Sequence, residues 1–213
     1  GGERIAPYMN WDDRNVSVLF GDGAAAVILQ ATDDDSGVML EKLGCYGEAR
    51  DILRIHGIGG AYVHQDRLTG VTEWQFEGQE IFKKAVTGMG GACEDVLQRA
   101  GKTPDEVDLV IPHQANLRII EYVAKRANVP MDRVFVNVQR YGNMSAATVP
   151  VALCEALEQG RIKPGSLLLM PAFGGGLTFC AHLVRWGART QPIGSSSIEL
   201  SPSPYSALEL VQR

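Results

Sequence analysis

The chain has 213 residues and a formal net charge of −5, with 45% hydrophobic and 21% charged residues. This balance describes a globular protein with ample apolar material for a core and excludes a disordered or collagen-like chain. No run approaches the ~18 apolar residues of a membrane span, and the acidic balance argues against a general nucleic-acid binder.

Residues 1–15 are polar and turn-rich. The apolar stretch 16–20 predicts a short strand that stops at Gly21-Asp22-Gly23, and 24–31 predicts a second strand. The acidic run Asp33-Asp34-Asp35 marks a loop, and 38–43 predicts another strand. Residues 44–77 are glycine-rich with no clear period and read as an irregular excursion.

From Gln79 onward the pattern changes. Phe82, Ala85, Met89, Cys93, Val96 and Ala100 recur at three- and four-residue steps, which predicts an amphipathic helix capped by Gly101. Gly88, Gly90 and Gly91 lie inside it, each costing roughly 1 kcal/mol against alanine. Close packing on a neighbouring backbone would explain them. Beyond, the chain alternates: strand 107–111, helix 115–127, strand 134–136, helix 146–157, strand 167–170, the turn Gly174-Gly175-Gly176 and strand 177–184. That alternation implies an α/β sheet covered on both faces. Serine and proline dominate 190–206 as in an extended strap, and 207–211 could add a helical turn.

The chemistry-bearing residues cluster at strand ends, where open α/β sheets place ligands. His113 follows one predicted strand, Asn143 the next, and the glycine triplet the third. An imidazole and a carboxamide can both donate hydrogen bonds to a carbonyl oxygen that becomes negative, and glycine N–H groups can line a second such hole. Taken singly, each has an ordinary reading: a surface histidine, a turn or helix-cap asparagine, a tight turn. The four cysteines, Cys45, Cys93, Cys154 and Cys180, form no CxxC pair, so neither a zinc nor a dithiol site is expected. With no signal peptide in the sequence, reduced thiols in the cytoplasm are expected.

The strings His113-Gln114-Ala115-Asn116, Gly142-Asn143-Met144-Ser145-Ala146-Ala147, Phe173-Gly174-Gly175-Gly176 and Leu19-Phe20-Gly21-Asp22-Gly23-Ala24-Ala25, in this order and spacing, closely resemble β-ketoacyl-acyl carrier protein synthase III over 13–186. The resemblance implies the thiolase-like αβαβα layered fold, here mainly its C-terminal half. Residues 1–35 would be the last strands of the N-terminal half, 36–187 the C-terminal half and 188–213 a tail. It implies decarboxylating condensation of a short acyl-CoA with malonyl-acyl carrier protein, the step that starts fatty acid synthesis. A homodimer is also implied, with neither metal nor redox cofactor and with a coenzyme A thioester as substrate.

Residue by residue, the resemblance places His113 and Asn143 on the malonyl thioester carbonyl and gives Gly175 an oxyanion-hole N–H. It places Arg14 beside the coenzyme A adenine, Arg118 near the tunnel mouth, and Gly78, Gln79, Phe82, Ala115 and Phe173 along the substrate tunnel. The family has Gly-Asn where this chain has Gly78-Gln79, which keeps an amide. Lys83, Lys125 and Arg126, with Arg118, read either as solvated helix faces or as a positive rim for the acidic carrier protein.

The family's nucleophile is a cysteine at a helix N-terminus, which lowers its pKa. None of the four cysteines stands in such a context. Cys93 lies mid-helix on the apolar face, followed by two acids that raise a thiol pKa. The sequence is therefore expected to begin after the nucleophile and to be unable, by itself, to form an acyl-enzyme or to stay stable without its missing half. Two alternatives stand beside this reading: a thiolase-fold acyltransferase of secondary metabolism, and a non-catalytic half-domain that pairs with another subunit.

Overall fold

The computed structural model describes residues 1–56, 63, 64, 67, 68, 73–191, 197, 204, 205 and 209. The predicted strap and last helical turn fall mostly outside the described residues, as does part of the 44–77 excursion.

The N-terminal region departs most from expectation. Its strands are short: β1 (Gly2–Glu3) pairs antiparallel with β2 (Gly23–Ala24). Between them, 16–20 is no strand. Arg14–Ser17 forms one helical turn, α1, because the Asp13 carboxylate caps it by accepting the Asn15 N–H at 2.9 Å. A five-residue stretch is too short for periodicity to separate strand from helix. The strand expected over 24–31 stops after Ala24, and Val27, Ile28 and Leu29 are exposed.

The body of the fold is a four-stranded mixed sheet. Its strands are β3 (Gly37–Cys45), β8 (Leu109–Val110), β9 (Leu167–Gly174) and β10 (Thr178–Arg185), in the order β3-β10-β9-β8. Strand β10 runs antiparallel to both neighbours and β8 runs parallel to β9. The described residues of the 44–77 stretch carry more secondary structure than their composition suggests. A 3₁₀ segment over Gly47–Ile52 leads into β4 (Leu53–His56), which pairs with β7 (Glu73–Phe76); β5 (Val63–His64) pairs with β6 (Arg67–Leu68).

Period-2 alternation in β9 separates two cores. Leu167 and Leu169 face Cys93, Val96, Ile120 and Ala124 of the long helix α2 (Gly78–Arg99) and of α3 (Leu117–Arg126). Leu168 faces the opposite way, onto Ala152, Leu153 and Ala156 of α5 (Thr148–Glu158). The sheet is thus covered on both faces, as its near-continuous apolar strands require.

Two helix-related expectations change in detail. Gly101 closes α2 with φ +63°, as expected of a helix C-terminus. Two of the glycines inside α2 are instead explained by side chains: a Cβ on Gly88 would strike the Phe179 ring and one on Gly90 the Arg126 stem, whereas Gly91 has room for one. The strand expected at 134–136 is reduced to one parallel bridge between Val110 and Val134, followed by the short helix α4 (Val138–Tyr141). Among the described residues no helix is long and apolar enough to cross a membrane.

Candidate active site

His113 is reached by extending the parallel ladder past β8: Ile111 N–H donates to Leu169 and His113 N–H to Pro171, at 2.9 and 2.8 Å. The side chain is buried, with 7% exposure. Burial disfavours the charged imidazolium and pushes its pKa down to about 4, so the ring is neutral at pH 7. Its Nδ1 lies 2.6 Å from the Thr148 hydroxyl. Among the described residues, Nε2 has no partner.

Asn143 arrives by a different route. It follows α4 rather than a strand, and its place is set by pairing with the N-terminal region. Asn143 N–H donates to Leu19 at 2.8 Å, Gly21 N–H donates to Asn143 at 3.0 Å, and Phe20 and Asn143 form a parallel bridge. Gly142 adopts φ +68°, where an L side chain is strained, and a Cβ there would meet the Leu19 carbonyl oxygen at 3.0 Å. Asn143 Oδ1 accepts the Ser145 N–H at 2.8 Å, which leaves the Nδ2 amide as its donor.

Gln114 ties the two routes together. Fully buried, it donates to the Pro112 and Phe135 carbonyls at 2.9 and 3.1 Å. Its Oε1 accepts the N–H groups of Asn137 and Val138 at 2.9 and 3.1 Å. The side chain thus clamps the His113 strand end to the segment that leads to Asn143. Asn116 caps α3 by accepting the Ile119 N–H at 2.9 Å. Sequence reasoning missed Gln114 and Thr148. Buried amides and hydroxyls carry no periodic signal, although Asn116, three residues before Ile119, has the spacing of a helix cap.

These elements converge on one cavity of about 110 Å³ lined by His113, Asn143, Gly175, Ala115 and Phe173, with Leu19, Phe20 and Phe76 among its walls. No hydrogen bond within the described residues occupies the Gly175 N–H. A second cavity of about 570 Å³ shares His113, Ser145, Phe173 and Gly174 with the first and extends past Val149, Cys180 and His182. A neutral imidazole, a primary amide and a free backbone N–H facing one small space form a set able to stabilise negative charge on oxygen.

The remaining site residues from the sequence stand apart from this cavity's lining. Arg14 opens α1 and is exposed, as are Gly78 and Gln79 at the start of α2. Phe82 meets the Tyr122 ring edge-on at 5.2 Å, and the Arg118 guanidinium lies 5.6 Å from the Phe82 ring centre. Lys83 pairs with Glu80 at 2.6 Å and Arg126 with Glu94 at 3.1 Å; Lys125 is exposed in the last turn of α3.

No cysteine lines the cavity that holds His113, Asn143 and Gly175. Burial raises the Cys93 thiol pKa far above its usual value, with Glu94 adding to it, so desolvation outweighs the neighbouring acids named from sequence. Burial also raises the Cys180 thiol. Cys45 and Cys154 are exposed.

The fold is that of a thiolase-like α/β protein. Two family descriptions match the chain: 3-oxoacyl-[acyl-carrier-protein] synthase III over residues 1–47, and the C-terminal region of the same synthase over 97–186. A β-ketoacyl-[acyl-carrier-protein] synthase III 2 of Vibrio cholerae is 48% identical over 213 residues, covering 100% of this chain and 59% of that protein. The solved 3-oxoacyl-[acyl-carrier-protein] synthase III of Aquifex aeolicus superposes with a TM-score of 0.78 at 42% identity, covering 87% of this chain and 56% of the other. The Thermus thermophilus synthase III gives 0.79 at 38% identity, covering 89% and 58%. The chain belongs to the 3-oxoacyl-[acyl-carrier-protein] synthase III family, and it spans under two thirds of the length of these relatives, 59% of the Vibrio protein and 56% of the Aquifex one.

Proposed function

We propose that this chain carries the thioester-activating half of a decarboxylating Claisen condensation between an acyl-CoA and malonyl-acyl carrier protein. The observation that carries the reading is the convergence of His113, Asn143 and Gly175 on one cavity. The malonyl thioester carbonyl oxygen lies between the His113 ring and the Asn143 amide. The bond between the malonyl Cα and its carboxylate breaks, CO₂ leaves, and the electron pair moves onto the thioester oxygen as an enolate. Two neutral donors hold that oxygen without transferring a proton, so the enolate carbon stays nucleophilic. It then attacks the acyl thioester carbonyl and the acyl-bearing thiolate departs. Gly175 N–H serves the oxyanion of this second step.

The thiolate that accepts the acyl group is not one of the four cysteines. Cys93 is buried with a raised pKa, and none of the four lines the cavity of the proposed oxyanion donors. Arg118 and Lys125 face solvent as docking charges for an acidic carrier protein, and their reversal raises KM for the carrier protein more than for a small thioester.

Release of labelled CO₂ from carboxyl-labelled malonyl-acyl carrier protein tests the reading. A loss of about 10²–10³ on His113→Ala, the size of one oxyanion donor removed, supports it. Equal rates for variant and parent overturn it. Radiolabelled acyl-CoA tests the thiol assignment: stoichiometric thioester on any of the four cysteines refutes it.

A further inference from the structure

Asn143 is delivered by a segment that cannot hold its own shape. Helix α4 (Val138–Tyr141) is a single turn, and a lone turn is unstable in water. Gln114 takes up two N–H groups at its start. Its far end, which runs directly into Gly142 and Asn143, is held by Glu155 in the last turn of α5. The Glu155 carboxylate collects three donors, all from 137–141. Oε2 accepts the Asn137 amide at 2.9 Å, and Oε1 accepts the Tyr141 hydroxyl at 2.6 Å and the Arg140 guanidinium at 2.8 Å. Only 12% of the Glu155 side chain is exposed. Bonds to a carboxylate are charge-assisted, and with water largely excluded they hold their donors more firmly than a surface pair does. Tyr141 is fixed on its other side as well, because Gly21 packs so closely that a Cβ there would strike the Tyr141 carbonyl oxygen. Tyr141 thus stands pinned between α5 and the Leu19–Gly21 segment that pairs with Asn143.

We infer that Glu155 is a positioning residue: by binding Asn137, Arg140 and Tyr141 together, it fixes where Asn143 stands in the cavity shared with His113 and Gly175. Its purpose rests on the oxyanion reading of Asn143, whereas its content rests on the hydrogen bonds alone. Glu155→Leu removes every acceptor at similar volume. Glu155→Gln keeps one oxygen for Tyr141 and Arg140 and turns an N–H toward Asn137. The buried Asn137 Oδ1 has no partner among the described residues, so that amide can turn over and accept.

Hydrogen exchange of the ¹⁵N-labelled chain reads the effect at the Asn143 N–H, which donates to the Leu19 carbonyl. Leu153→Ala, on the same helix but in the core, controls for a general loss of stability. Expected in Glu155→Leu is exchange at least about tenfold faster, the size of one charge-assisted bond lost. In Glu155→Gln and in Leu153→Ala the rate stays within about twofold of the parent's. The Asn143 side-chain amide signals, assigned by their loss in Asn143→Asp, shift in Glu155→Leu alone. A parental Asn143 rate in Glu155→Leu overturns the inference, as does equal acceleration in Leu153→Ala. A Glu155→Gln rate as fast as that of Glu155→Leu also overturns it, since an acceptor oxygen would then not suffice to hold Tyr141. Should Glu155→Leu fail to fold, Tyr141→Phe, which removes one of the three donors, takes its place. Faster Asn143 exchange than in Leu153→Ala then supports the inference, and a parental rate overturns it. Exchange is read without substrate. A decarboxylation failure therefore sinks the functional reading and leaves the anchor standing.

Discussion

At the strand ends, Gln114 and Thr148 are fully buried and His113 nearly so, and the donors and acceptors they turn toward the protein are paired. On the outer turns of α2 and α3, Lys83, Arg118 and Arg126 stand in solvent, two of them in exposed ion pairs and one stacked on Phe82. Both regions are built from polar groups, yet their energetics are opposite. In the buried corner a lost partner leaves a desolvated group unsatisfied, so geometry is held tightly. On the rim, water and salt replace any lost partner, so charge can serve encounter without fixing structure.

The sharpest break of this contrast is Gln114→Leu. It strips partners from two carbonyls and two N–H groups at once, and a loss of about 4 kcal/mol is expected in urea unfolding. A loss under 1 kcal/mol would mean that the clamp between the His113 and Asn143 segments is incidental.

Acid provides the next test. His113 binds its proton near pH 6.5 when unfolded and only near pH 4 when folded. Its contribution to stability is complete above about pH 6.5 and is lost as pH falls through about 4, a difference of roughly 3 kcal/mol. His113→Gln should therefore flatten the dependence of the urea midpoint on pH between 7 and 4. An unchanged slope would contradict the burial argument.

On the rim the expected effects are smaller. Arg118→Glu should change stability by less than about 1 kcal/mol while raising KM for the carrier protein several-fold more than KM for a small malonyl thioester. Equal changes in both constants would count against docking there. Smallest of all, Lys83→Ala breaks the Glu80 pair, and a change within about 0.5 kcal/mol is expected, shrinking further in high salt. A larger effect would show that the rim shares the rigidity of the corner.

Much of this was legible in the residues. The three- and four-residue repeat of α2, the apolar run of β9 and the turn at Gly174–Gly176 rest on local periodicity and turn chemistry, which a linear sequence carries. The motif residues His113, Asn143 and Gly175 were legible as strings. The failures have two causes. Arg14–Ser17 took up a helical turn through a local cap at Asp13, which a short apolar stretch does not reveal. In contrast, 24–31 lost its strand beyond Ala24, 134–136 kept one bridge, and β4 and β7 paired inside a stretch that reads as irregular. These three depend on which partner is available across the chain, and pairing of that kind leaves little local trace.

The sequence by itself determined the residue types: a histidine, an asparagine and a glycine triplet in a fixed order, on elements whose periods require an α/β sheet. Only the tertiary structure decided that Asn143 is delivered by Leu19 and Gly21, that Gln114 clamps the His113 strand end to the segment leading to Asn143, and that Thr148 stands behind His113. The physical reason is that hydrogen bonds between groups far apart in the chain form only after packing has excluded water, and no local pattern encodes their partners.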